Sequence, residues 1–284
     1  MKALLLVLLL LIVPAAEQAD PEHPLVQTSS QEFVQGTAAA LKVIQASKFE
    51  EGVETPGLGA SSNQDLQKLI DEINAKSPMS DLGTGDRSTD YDVILQPGHY
   101  LRTSGVTGTH GKYVSERSLV AYITNIVATS LRRTGESVLV VSADNYLRPT
   151  RFGADFNGLH SKVFLAIHAD GNDYHPCSTG PSLGYQKPAT AVTMNLVALG
   201  LADALGYEYG DFRKNFTANE AKYYMFRQVQ AGRLTGILEV GELTCQKSEQ
   251  ALITSSHAVG ANVARAIDFI VRTPEIGSGS GVMR

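Results

Sequence analysis

Beyond its first residues the chain contains no apolar run of membrane-spanning length, which would need roughly 20 residues. It has only two cysteines in 284 residues, Cys177 and Cys245. They allow one disulfide at most and exclude a disulfide-built scaffold. Positive charge is not in excess: 24 Lys and Arg stand against 29 Asp and Glu, a net charge of −5. Tracking a phosphate backbone requires clustered Lys and Arg, so nucleic acid is not an expected partner. Neither cysteine has a base beside it in sequence. A nucleophilic Cys is therefore not indicated. No repeat or low-complexity tract is present.

What is there begins with an export pattern. Lys2 precedes the apolar run Ala3–Val13, and Pro14-Ala15-Ala16 follows. One positive charge, a short apolar core and small residues after it describe a signal peptide over 1–19, cut near Ala15 or Ala19. The alternatives are an uncleaved anchor or a buried strand. No Cys follows the run, as a lipid-anchored end would require. The expectation is an exported protein, periplasmic or secreted, with no membrane span after cleavage. Hydrophobic residues make up 43% of the chain and charged residues 19%, a globular balance rather than a disordered one.

Residues 20–90 read as a short helical segment and linker. Phe33, Val34, Leu41, Val43 and Ile44 suggest a helix over 31–47, and Leu66, Leu69, Ile70 and Ile73 a second one after Ser61 or Ser62. The polar stretch 77–90, with Pro78, Gly83 and Gly85, reads as linker. Its role is left open: docking on the rest of the chain, localisation, or binding a regulatory partner.

From Tyr91 strands and helices alternate. Apolar strands are expected at 91–96, 137–142, 162–168, 183–187 and 235–240. Helices are expected at 117–133, 193–205 and, as one long element, 248–271, with a flexible tail within 272–284. This alternation predicts an α/β domain over 91–271 with a mostly parallel central sheet and helices on both faces.

Open α/β sheets bind ligands at the carboxyl ends of their strands. Here His99 follows the first strand, His168 ends the third, Glu239 lies on the late strand, and Glu116 opens the helix 117–133. Two imidazoles and a carboxylate leave one position of a tetrahedral metal open, as in a catalytic zinc site. Taken singly, each histidine reads as a hydrogen-bonded surface or core residue, and Glu116 as a first-turn carboxylate favoured by the helix dipole. Glu239 is harder to dismiss, because an unpaired carboxylate on an apolar strand is costly. Position alone leaves a metal site and these plainer roles both open, and it does not identify a substrate.

Pro97-Gly98-His99, Ser115-Glu116-Arg117, Phe164-Leu-Ala-Ile-His-Ala-Asp170 and Ile237-Leu-Glu-Val-Gly241 occur in that order. In this the chain resembles the zinc-dependent N-acetylmuramoyl-L-alanine amidases of the amidase type 3 family, over about 91–271. The resemblance implies Zn2+ held by His99, Glu116 and His168, Glu239 as catalytic acid–base, and peptidoglycan or muropeptides as substrate. It also marks Asn157, eleven residues before His168, and Arg151 as substrate-side candidates. His110, in the Gly-rich loop between His99 and Glu116, is a further candidate from its position. Three departures stand out: Gln96 replaces the family's usual Asp, Glu242 its usual Phe, and Arg151 is one residue off its usual spacing. The rival readings are a zinc peptidase or deacetylase on another cell-wall amide, and a peptidoglycan-binding protein without turnover.

Cys177 lies nine residues after His168 and Cys245 six after Glu239. If those strands are neighbours, the sulfurs can meet and tie two loops at the site; otherwise both remain free thiols.

Overall fold

The structure is a computed structural model that describes residues 63–75, 82–101, 107–142, 156–185, 190–207 and 223–273. The signal, the helix expected at 31–47, Arg151 and the tail from 274 onward lie outside the described residues.

Five strands, β1 (Asp90–Pro97), β2 (Val138–Val140), β3 (Leu159–Asp170), β4 (Ser182–Tyr185) and β5 (Val229–Glu242), form one sheet in the order β2-β1-β3-β5-β4. The first four in that order are parallel, and β4 runs antiparallel along β5. The α-helices are α1 (Asn63–Asn74), α2 (Glu116–Arg133), α3 (Ala191–Leu205), α4 (Gln246–Thr254) and α5 (Ser256–Arg272). β1 and β3 are apolar on both faces because both faces are covered: Val93, Leu95, Val163, Leu165 and Ile167 join the helices in one core. Their neighbours Ile94, Phe164 and Ala166 join a second core with Phe156, Val229 and the 3₁₀ helix Tyr224–Arg227.

The mostly parallel α/β sheet agrees with the sequence expectation, with one difference in its layers. Among the described residues all the α-helical core residues lie on one face, and the other carries only the 3₁₀ turn and its aromatics. Gly260 of α5 lets that helix press on α2: a Cβ there would stand 2.6 Å from Ile126.

The long final helix expected at 248–271 is broken at Ser255 into α4 and α5. The sequence Thr254-Ser255-Ser256 explains the break. Thr254 Oγ1 donates to the Gln250 carbonyl at 2.9 Å, and Ser256 Oγ to that of Ile253, also at 2.9 Å. Such hydroxyls compete with the helix ladder for its acceptors. β5 begins six residues before the expected 235, through Gln230 and Gly232, where no apolar alternation announces a strand.

Helix α1 is no loose appendage. Leu69, Ile70 and Ile73 are buried in the main core, Asn74 Nδ2 donates to the Tyr113 carbonyl at 3.1 Å, and the Tyr122 hydroxyl donates to Glu72 at 2.9 Å. Its hydrophobic spacing is what an amphipathic helix on a core requires. No helix among the described residues is long and apolar enough to cross a membrane.

Candidate metal centre and acid–base site

The site is assembled from the carboxyl ends of β1, β3 and β5 and the amino end of α2. The β1 strand stops at Pro97, and the chain turns through Gly98 into His99 at φ 55. Only glycine fits at 98: a Cβ would lie 2.5 Å from Nδ1 of His168, so the ring packs directly on that backbone. Ser115 caps α2 by accepting the Ser118 amide, which places Glu116 in the first turn where the helix dipole favours a carboxylate.

The loop leading to Glu116 is held from outside. The buried Glu249 carboxylate accepts the amides of Lys112, Tyr113 and Val114 at 3.0, 2.7 and 3.0 Å. Glu116 is itself buried and accepts the amides of Thr109 at 2.8 Å and Ala169 at 3.2 Å. Its Oε1 stands 3.1 Å from His168 Nδ1 and 3.6 Å from His99 Nε2. Burial pushes the Glu116 carboxyl up, but the hydrogen bond and charge of His168, the charge of His99 and the Thr109 amide together hold it below its ordinary value. It is a carboxylate.

One ligand atom from each of His99, Glu116 and His168 lies within 4.8 Å of the other two, and this group could hold a metal ion. The donors suit a divalent cation of intermediate softness: two imidazole nitrogens and one anionic oxygen converging on a point, with no thiolate among them. A cavity of about 330 Å³ opens over the three and is also lined by Thr109, His110, Asp170, Asp173 and Glu239. Glu239 is the register partner of His168 on the adjacent strand, so both side chains leave the sheet on the same face. A larger hollow of about 550 Å³, lined by Asp90, His160 and Gln230 among others, lies at the amino ends of the strands, away from these groups.

His110 lines the cavity from the loop before α2, where it bridges Ser115. Asn157 is not brought to the site. It sits exposed in the turn ahead of β3, its carbonyl accepting from Arg87. His168 lies near the far end of the same strand, roughly 30 Å away at about 3.3 Å per residue.

Cys177 and Cys245 are joined, linking the loop after β3 to the start of α4. Glu242, which the sequence marks as a charge near the site, is turned to that link. Its carboxylate accepts the amides of Cys177 at 2.8 Å and Thr179 at 2.7 Å and the Thr244 hydroxyl at 2.6 Å. Burial raises its pKa, but the Thr244 hydroxyl and the Thr179 and Cys177 amides outweigh that and hold it below the ordinary value. Its oxygens are committed to the loop. Glu249 and Tyr223 also support the site without any metal-ligand or acid–base pattern in sequence; the only trace of the tyrosine is the aromatic run Tyr223-Tyr-Met-Phe226.

No protein-family model matches the chain, and no curated protein does. Solved structures similar to it include an N-acetylmuramoyl-L-alanine amidase from Clostridium difficile 630, at 19% identity and a TM-score of 0.47, covering 63% of this chain and 96% of that one. The amidase AmiC2 of Nostoc punctiforme matches at 16% identity and a TM-score of 0.47, covering 68% and 99%. The CwlD amidase of Clostridioides difficile, in complex with the GerS lipoprotein, matches at 14% and 0.48, covering 64% and 98%. At such values the likeness does not decide the chemistry of this chain, which rests on its own residues.

Proposed function

We propose that the chain is a zinc-dependent hydrolase of peptidoglycan that cleaves the amide between the lactyl group of N-acetylmuramic acid and the L-alanine of the stem peptide. The observation that carries this reading is the convergence of His99, Glu116 and His168 on one point, with Glu239 in register beside His168 over the same cavity. The order of the four sequence motifs names the substrate class.

His99, Glu116 and His168 would hold the ion. Zinc bound there would polarise the amide carbonyl and make water a better nucleophile near neutral pH. Glu239 accepts a proton from the attacking water at a carboxylate oxygen and delivers it to the amine nitrogen as the C–N bond breaks. Glu116 acts as a ligand rather than the base, since each of its oxygens already accepts a backbone amide and Oε1 faces both imidazoles. Glu242 is tied to the disulfide loop and does not line the cavity.

Export with a cleaved signal belongs to the same reading, because peptidoglycan lies outside the cytoplasmic membrane. Metal analysis of the purified protein tests the ligand set. About one zinc per chain is expected, lost together with muropeptide hydrolysis in His99→Ala and His168→Ala. Full zinc in both variants contradicts the ligand assignment.

A further inference from the structure

Behind His168, on the side away from the cavity, lies a buried polar chain that the metal reading does not use. Gln96 is fully buried, and Tyr223 and Tyr224 are nearly so. The direction of every hydrogen bond in it follows from one fixed point, the main-chain carbonyl of Ser142, which can only accept.

The Gln96 group 3.0 Å from that carbonyl must therefore be its NH2, and it also donates to the Tyr224 hydroxyl at 2.8 Å. Gln96 Oε1 is left as an acceptor, and the Tyr223 hydroxyl donates to it at 2.6 Å. A phenol has one proton. With that proton spent on Gln96, the Tyr223 oxygen can only accept from its other neighbour, Nε2 of His168 at 3.2 Å. Nε2 must then be the protonated nitrogen. Nδ1 is then the nitrogen that faces Glu116 Oε1, 3.1 Å away. Between an imidazole lone pair and a carboxylate oxygen a cation is needed: a proton on Nδ1 when no metal is bound, or the metal ion that displaces it.

Resting on the zinc reading above, we propose that Gln96 and Tyr223 are positioning residues. They hold His168 in the Nε2–H tautomer so that Nδ1 is the metal-binding atom. The ring is fixed in orientation as well: Tyr223 meets it edge-on at 88°, and the Gly98 backbone packs against its Nδ1 side. In the other tautomer Nε2 would set a lone pair against the Tyr223 oxygen, and a proton would occupy the metal-facing side. Outer-shell partners of ligating histidines act in this way, and their loss typically weakens metal binding about 10–100-fold. A carboxylate at position 96 could not donate to Ser142, so the amide is what anchors the chain of bonds.

The test combines ring nitrogen NMR with zinc competition against a chelator. In zinc-loaded wild-type protein, His168 is expected to show a proton on Nε2 and the metal shift on Nδ1. Tyr223→Phe and Gln96→Leu, each checked as folded, should weaken zinc about 10–100-fold. Tyr224→Phe removes an equally buried hydroxyl but leaves Ser142 to orient Gln96, so its zinc affinity should stay close to wild type. Zinc on Nε2, or wild-type affinity in folded Tyr223→Phe, overturns the proposal while leaving the zinc reading intact. A wild-type chain that binds no zinc overturns both.

Discussion

His168 and Glu239 face each other across the β3–β5 ladder as register partners, and both side chains point into the cavity at the carboxyl end of the sheet. Neighbouring residues in a parallel ladder share a face, so the backbone pairing itself delivers an imidazole and a carboxylate to one place. The separation of their roles follows: His168 is bound up with Glu116 and Tyr223, while Glu239 belongs to another strand and lines the open cavity.

Glu239→Gln should therefore uncouple chemistry from metal binding. The amide keeps the shape but cannot take a proton, and losing general acid–base help costs about 10²–10⁴-fold in rate. Zinc content, measured on the same preparation, should stay at the wild-type level. Loss of zinc in this variant would make Glu239 a ligand instead.

The disulfide should stabilise the chain measurably. Cys177 and Cys245 are 68 residues apart, and closing a loop of that length is worth about 4 kcal/mol in the chain-entropy model. Urea unfolding with and without reductant reads the difference. An unchanged midpoint with both thiols shown free would contradict it.

Asp92 sets a pH dependence. Burial raises its pKa, but the Lys162 ammonium and the Ser137 amide and hydroxyl outweigh this and bring it to about 2. A folded-state pKa below the unfolded one gives stability that is complete above the unfolded value and lost as pH falls through the folded one. The window here runs from 3.8 down to about 2. Because the group is partly exposed, the contribution is about 1 kcal/mol after solvent screening. Asp92→Asn should be less stable than wild type at pH 7 by that amount, and the gap should close towards pH 2. A gap independent of pH would mean that Asp92 acts through its shape alone.

Removing residues before 91 should destabilise the rest. A 91–284 fragment loses Leu69, Ile70 and Ile73 from the main core. Burying three such side chains is worth on the order of 5 kcal/mol. The fragment should melt well below the 20–284 chain; equal melting temperatures would show that α1 adds nothing to the fold.

The sequence makes the strand ends legible for a physical reason: buried parallel strands are continuous apolar runs, and a His or Glu at their ends interrupts them. Helix α2 is equally plain from its apolar stripe, Leu119, Ile123, Val127 and Leu131. The supports of the site are harder to see. Glu249 and Glu242 each clamp a loop by accepting backbone amides, and that task needs only a carboxylate at a position set by the tertiary fold. Gln96 and Tyr223 are 127 residues apart, so their pairing is visible only once the 3₁₀ turn lies across the sheet. Asn157 shows the converse. It stands where the resemblance in sequence expects it, yet it lies at the opposite end of its strand, its carbonyl accepting from Arg87.

The measurement that bears most directly on the proposed activity is the identity of the product. Zinc-loaded protein incubated with a purified muropeptide, followed by mass spectrometry, should release a stem peptide beginning with alanine and leave the N-acetylmuramic acid lactyl group as a free acid. A cut within the peptide, loss of an acetyl group, or an intact muropeptide bound without turnover would contradict the account.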